Sequence, residues 1–184
     1  MSLAIALLAA GGATRFGGGK LDADCAGKPL GRWALEAALA VPHERLAVVV
    51  ANPVPEFASG CELLVNERAA EGLGTSAALA ARWAAGSDAL LIMLADMPLV
   101  SPETLGQLVA AEGPAAVVYP GGKPGAPACF PAALFPALAA LAGDSGAAQV
   151  LRGLPKVALV ETPAVELRDV DRPEDLAAIV ALLE

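Results

Sequence analysis

Short continuous apolar runs alternate along the chain with segments whose apolar residues recur at helical spacing. The first run, Leu3-Ala4-Ile5-Ala6-Leu7, has no polar alternation, as expected of a strand buried on both faces. Similar runs at 46–51 and 63–65 read as buried parallel strands, and 88–95 has the pattern of a central strand. Residues 115–119 and 157–161 read as further strands, with 165–168 as one more returning or edge strand. Helical spacing marks a segment that opens at Gly27-Lys28-Pro29-Leu30 and runs through Leu39, then 77–85, 131–142, 147–152 and a last helix beginning around 169–176. Ser101-Pro102-Glu103 offers an N-cap, a proline at the first helical position and an acid in the first turn, and so starts a helix to about Glu112. Residues 120–127 hold too many glycines and prolines for a regular element and read as a rigid loop. Strand and helix alternate without internal repeats or low-complexity linkers. The expected architecture is one three-layer α/β/α domain over residues 1–184, with a mostly parallel, Rossmann-like sheet.

Composition narrows this picture. Hydrophobic residues make up 56% of the 184 residues and mean hydropathy is +0.59, figures that raise the question of a membrane span. Alanine carries much of that total, and the longest charge-free run, 124–143, is interrupted by Pro127, Pro131 and Pro136, which forbid a continuous spanning helix. The apolar start has no basic flank and runs into glycines, so a cytoplasmic protein is expected. A net charge of −8 argues against nucleic-acid or anionic-membrane partners, which require a basic stripe. Cys25, Cys61 and Cys129 lack any metal-binding spacing and read as buried or incidental thiols, and His43, the single histidine, leaves no material for a histidine-centred triad.

Against the acidic background one stretch stands apart. Five of the nine residues 11–19 are glycine, and they follow the first strand directly, with Arg15 and Lys20 as cations. Such a loop lets backbone N–H groups approach an anion closely, and a polyphosphate is the natural guest. The spacing fits neither a Walker A loop nor the Rossmann glycine fingerprint. Farther along, 88–95 delivers Asp96-Met97-Pro98 to the C-terminal end of a strand, where parallel sheets bind ligands; an aspartate there can supply an oxygen ligand to Mg²⁺.

The stretch LAAGGATRFGGGK resembles the L-A-A-G-x-S-x-R-F-G-x-x-K signature of the molybdenum cofactor cytidylyltransferases, within the MobA-like nucleotidyltransferases; Thr14 stands where serine is usual. This resemblance implies a fold of the nucleotide-diphospho-sugar transferase type. It implies that the loop, including Leu8, Ala10, Gly11 and Gly12, wraps the triphosphate of an NTP, that Arg15 and Lys20 face the phosphates, and that alanine at position 10 goes with CTP. Asn66, Gly72 and Ser76 match an element that surrounds the base, with Glu67 and Thr75 departing from it; Thr75 or Ser76 could equally serve as a helix cap. L-A-D-M-P matches the family's metal motif at Asp96, and D-V-D-R-P-E-D-L resembles D-I-D-T-P-E-D-L, which makes Asp171 the second metal ligand, helix capping being its alternative. Lys28, in G-K-P-L, faces the nucleotide phosphates or the second substrate, or is simply exposed. Asp144, in a turn resembling G-D-x-G-A, contacts the acceptor or only forms an Asx turn. Ala126 stands where the family carries a histidine. The implied activity is Mg²⁺-dependent transfer of CMP from CTP to the terminal phosphate of molybdopterin, catalysed by Arg15, Lys20 and Asp96, with a recipient molybdoenzyme as a further partner. Two alternatives stay open: a sugar or alditol phosphate acceptor, and a non-catalytic nucleotide or molybdenum-cofactor carrier.

Overall fold

Both faces of Leu3–Ala9 are apolar, and the strand they form is buried along its whole length. The computed structural model describes residues 1–12 and 15–183, so Thr14 of the glycine loop lies outside the described residues. In chain order the strands are β1 (Leu3–Ala9), β2 (Asp24–Cys25), β3 (Lys28–Pro29), β4 (Arg45–Val50), β5 (Glu62–Val65), β6 (Ala89–Leu94), β7 (Ala115–Tyr119), β8 (Lys123–Pro131) and β9 (Ala158–Val160). The helices are α1 (Leu30–Leu39), α2 (Leu73–Trp83), α3 (Pro102–Ala110), α4 (Phe135–Ala139), α5 (Ala148–Arg152) and α6 (Pro173–Leu183). Seven strands make one sheet in the order β5-β4-β1-β6-β8-β7-β9, in which β8 alone runs against the rest, and β2 and β3 form a separate small hairpin.

Side chains alternate across β1, and each set has its own helices. Leu3, Ile5 and Leu7 join Leu30 and Leu35 of α1, Leu105 and Leu108 of α3, and Ile179 of α6. Ala4, Ala6 and Leu8 join Ala77, Ala80 and Ala81 of α2 and Phe135 and Leu138 of α4. Three layers result. The second interface is built largely of methyl groups, so α2 lies close to the sheet. Much of the chain's high hydropathy is therefore spent in a helix–sheet contact. Among the described residues no helix is long and apolar enough to cross a membrane, and all three cysteines are free thiols.

Four elements differ from expectation. β5 is parallel, but it is an edge strand with Leu63 and Val65 exposed. The supposed rigid loop at 120–127 is mostly strand: β8 begins at Lys123, and its register against β7 skips Ala126 and Pro127. That bulge is where a proline, having no N–H to donate, fits inside a sheet. The helix expected over 131–142 is a 3₁₀ turn, Ala132–Leu134, followed by the short α4. Residues 165–168 form no strand: 164–167 are turn, and the Glu166 carboxylate accepts hydrogen bonds from Ser101 N, Ser101 Oγ and Thr104 Oγ1 at the start of α3. Elsewhere Ser101 caps α3 as expected, and α2 starts four residues earlier than the periodicity suggested, at Leu73.

Candidate active site

The parallel register sets the ends of three strands level. Leu8 of β1 is paired with Val49 of β4 and Leu94 of β6, so Ala10, Ala51 and Asp96 leave the sheet side by side. Val170 N donates to Asp96 O at 3.0 Å, which brings the Asp169-Val170-Asp171 segment against the end of β6. Gly17, Gly18 and Gly19 all have positive φ, at 93°, 97° and 61°, a region that glycine enters at no steric cost. They turn the loop back so that Lys20 enters a 3₁₀ turn, Lys20–Asp22, with its side chain only 10% exposed. The Asp22 carboxylate then accepts from the backbone N–H groups of Glu56 and Phe57 at 2.9 and 2.8 Å, fastening the loop's exit to the segment after β4.

Two cations of the loop meet two acids of the strand ends. Lys20 Nζ donates to Asp96 Oδ2 at 2.8 Å and lies 3.9 Å from Asp171 Oδ1, while Arg15 donates to Asp171 Oδ2 at 3.2 Å. One ammonium thus stands between two carboxylates. Asp96 Oδ1 is buried without a hydrogen-bond partner, and a buried carboxylate oxygen left unpaired is costly. Two carboxylates already gathered about a cation, one with an orphaned oxygen, fit a hard divalent ion such as Mg²⁺ or Mn²⁺. No group of three or more His, Cys, Asp or Glu side chains able to hold a metal occurs among the described residues, so an ion on these two would need its other ligands from phosphate or water oxygens.

Asp169 was not anticipated. Burial, and after it the charge of nearby Asp96, raise its carboxyl above the ordinary aspartate range. Burial first, then Asp169 and Asp96, push the Tyr119 phenol to about 12. Tyr119 therefore keeps its proton, which it donates to Ala126 O at 2.9 Å.

Three cavities meet here. A small one of about 160 Å³ is lined by Leu8, Ala10, Gly11, Lys20, Leu73 and Asp96, among others. A cleft of about 310 Å³ opens from it between the glycine loop, with Gly12, and residues 51–55. A third, of about 400 Å³, shares Leu8, Leu73 and Leu94 with the small cavity and extends over Ile92 and Ala128 toward the β7–β8 hairpin and α5.

Residues 5–160 match the model of the MobA-like NTP transferase domain. The chain belongs to this family. The purine catabolism protein PucB of Bacillus subtilis (strain 168) is 33% identical over 186 aligned positions, covering 91% of each chain. The crystal structure of Rv0371c from Mycobacterium tuberculosis H37Rv has a TM-score of 0.82 at 22% identity over 98% of both chains. A complex of Rv0371c with manganese scores 0.77 at 22% identity, over 98% of this chain and 99% of that one. A CMP:2-keto-3-deoxy-manno-octonic acid synthetase complexed with CTP scores 0.73 at 16% identity, over 100% of this chain and 98% of the other. These structures establish the nucleotide-diphospho-sugar transferase-like fold, and the protein is a nucleotidyltransferase-family enzyme.

Of the residues that the MobA-like motifs single out, Leu8, Ala10, Gly11, Gly12, Arg15, Lys20, Asp96 and Asp171 come together as described. Others are engaged elsewhere. Asn66 and Ser76 are buried, and the Asn66 amide donates to both Thr75 Oγ1 and Ser76 Oγ at 2.9 Å and accepts from Arg68 N. Thr75 Oγ1 in turn donates to Arg68 O or Gly72 O. Gly72 has φ 119°, and a Cβ there would sit 2.6 Å from Asp144 Oδ1, so Asp144 packs against the start of α2. From this segment it is Leu73 that reaches the small cavity. Lys28 pairs with Glu36 and lies 3.5 Å above the Trp33 ring, folded onto α1. It lines none of the three cavities.

Proposed function

We propose that this chain transfers CMP from CTP to the terminal phosphate of molybdopterin and releases pyrophosphate. The observation that carries the reading is the cluster of Lys20, Arg15, Asp96 and Asp171 beneath a glycine loop, at the junction of a nucleoside-sized cleft and a second, apolar cavity. Ala10 lines both the cleft and the small cavity, which suits its implied part in base choice. A synthetase of this fold binds CTP, Rv0371c binds manganese, and PucB is named for purine catabolism.

In the transfer, an oxygen of the acceptor phosphate attacks the α-phosphorus in line. The bond from that phosphorus to the oxygen bridging to the β-phosphate breaks, and its electron pair leaves with pyrophosphate. No general base is needed, since a phosphate monoester is already anionic near neutral pH, and Tyr119 is too weak an acid to serve as one. The backbone of the glycine loop holds the triphosphate, and the Lys20 ammonium and Arg15 guanidinium meet the charge spreading over its oxygens. Asp96 and Asp171 would hold Mg²⁺, which when bound would supply the remaining neutralisation of the phosphates. Leu8, Ile92, Leu94 and Ala128 give the third cavity an apolar floor, which suits an acceptor with a ring system better than a polyol phosphate.

Thermal shift tests the nucleotide half. A ligand at a hundredfold excess over its Kd stabilises by about 2.7 kcal/mol, or roughly 5–10 °C for a chain of this size. CTP with Mg²⁺ is expected to exceed GTP and ATP, and equal shifts for CTP and GTP would remove the base assignment. Pyrophosphate release from CTP with molybdopterin tests the acceptor, and its absence would overturn that part.

A further inference from the structure

The third cavity carries charge that the transfer itself does not use. Lys123 and Arg152 both line it, and neither lines the small cavity where Lys20 and Asp96 stand. They come from different elements: Lys123 opens β8, opposite Tyr119 in register, and Arg152 closes α5. The chain is acidic, and among the described residues six of its twelve lysines and arginines pair with acids: Arg15 and Lys20 with Asp171 and Asp96, Lys28 and Arg32 with Glu36, Arg45 with Glu62, Arg68 with Glu71. Among the described residues neither Lys123 nor Arg152 has a carboxylate within 4.0 Å. The hairpin that bears Lys123 is held in place, because the Tyr119 phenol bonds Ala126 O and the Tyr119 ring packs directly on Gly125.

We propose that Lys123 and Arg152 form an anion clamp that selects an acceptor bearing, on a ring system, a second anionic group separate from the phosphate that reacts. The proposal rests on the transfer reading above. The reacting phosphate has to lie by Lys20 and Asp96 in the small cavity. The rest of the acceptor then passes Leu8, Leu73 and Leu94 into the third cavity, which turns its second anionic group toward the two cations that line it. In molybdopterin the enedithiolate, free or as its oxo-metal complex, on the carbons between the phosphate arm and the ring system, is such a group; a polyol monophosphate has none. Apolar floor and cationic rim together recognise the acceptor, while the nucleotide is held elsewhere.

The test uses the full chain with Lys123→Ala, Arg152→Ala, the double variant and Lys123→Arg. Each alanine variant is expected to raise the KM for molybdopterin about tenfold and the double variant by more. In each, kcat should stay within threefold and the KM for CTP should not move; Lys123→Arg should restore most of the loss. An unchanged KM for molybdopterin overturns the clamp, and so does a matching loss of CTP affinity, which would give these cations to the triphosphate. If wild-type protein makes no pyrophosphate with CTP and molybdopterin, the transfer reading fails by itself. The clamp is then judged by fluorescence titration with 8-anilinonaphthalene-1-sulfonate, an apolar aromatic anion. A tenfold weaker Kd in the double variant sustains the clamp, and no change, or no binding to wild type, overturns it.

Discussion

The two ends of the site handle charge in opposite ways. At the nucleotide end Lys20 and Arg15 are already paired with Asp96 and Asp171; at the acceptor end Lys123 and Arg152 face an apolar cavity with no carboxylate partner among the described residues. A polyphosphate entering the first must take over two cations, and taking Lys20 strips Asp96 of its counter-charge in a poorly hydrated place, whereas the Arg15–Asp171 pair is exposed. Leaving one member of such a pair alone costs far more than exchanging both. Triphosphate and divalent cation should therefore bind cooperatively, each filling what the other vacates. The acceptor end needs no exchange, and on the clamp proposed above an anionic ligand is expected to bind there additively.

The largest effect is expected where the pairs are most buried. Asp96→Asn removes the charge that opposes Lys20 and carries the orphaned oxygen, and should lower pyrophosphate release from CTP and molybdopterin at least a thousandfold. Asp171, half exposed and 3.9 Å from Lys20, should cost less when changed to Asn. Circular dichroism checks folding, and undiminished turnover by a folded Asp96→Asn protein would remove the metal assignment.

Lys20→Ala separates cooperative from additive binding. Turnover should fall about 10²–10³-fold, the usual cost of one preorganised charge contact, whereas Lys28→Ala, whose ammonium is spent on Glu36 and Trp33, should stay near wild type. Titration of nucleotide-free protein with Mn²⁺ should show the opposite sign: with its ammonium gone, Lys20→Ala binds the ion more tightly than wild type. Weaker Mn²⁺ binding would mean that the lysine does not compete for these carboxylates.

Asymmetry also governs what the sequence reveals. β1, β4 and β6 are readable because a strand covered on both sides is a continuous apolar run, and such strands position the phosphate loop and Asp96. β8 is not, since Gly125 and Pro127 become strand only through partners on both flanks and a bulge in the register. Lys20, Arg15, Asp96 and Asp171 stand out as motifs, yet their pairing, across 156 residues for Arg15 and Asp171, is a product of topology. Asp169 left a trace in its i, i+2 relation to Asp171 around the buried Val170. Lys123 and Arg152 left none: an isolated cation after a glycine pair and another at a helix end look like ordinary surface. Asn66 and Ser76 were legible as a pair, but sequence cannot tell whether they face a ligand or each other.

Asn66→Ala addresses that last point. It deprives two buried hydroxyls of their donor, an expected loss of about 1–3 kcal/mol and hence roughly 2–12 °C in Tm. If the side chain works as a clamp on α2, the further shift produced by CTP and Mg²⁺ survives in the variant. Loss of that shift without loss of Tm would assign Asn66 to the base instead.

The smallest effect belongs to the acceptor end. Tyr119→Phe deletes the hydrogen bond to Ala126 O and the longer contact to Met97 Sδ, and leaves the ring packed on Gly125, so stability should fall by about 1 kcal/mol, a few degrees in Tm. The phenol, pushed to about 12 by burial and then by Asp169 and Asp96, is protonated throughout the neutral range. An acid whose ionisation lies that high contributes no limb to a rate profile between pH 6 and 9, and the variant should reproduce the wild-type shape. The KM for molybdopterin should rise modestly, because the hairpin that carries Lys123 is less firmly held, with kcat unchanged. A rate limb near neutrality that disappears in Tyr119→Phe would make the phenol an acid or base in the reaction, and the acceptor end would then share in the chemistry that the present contrast assigns wholly to the nucleotide end.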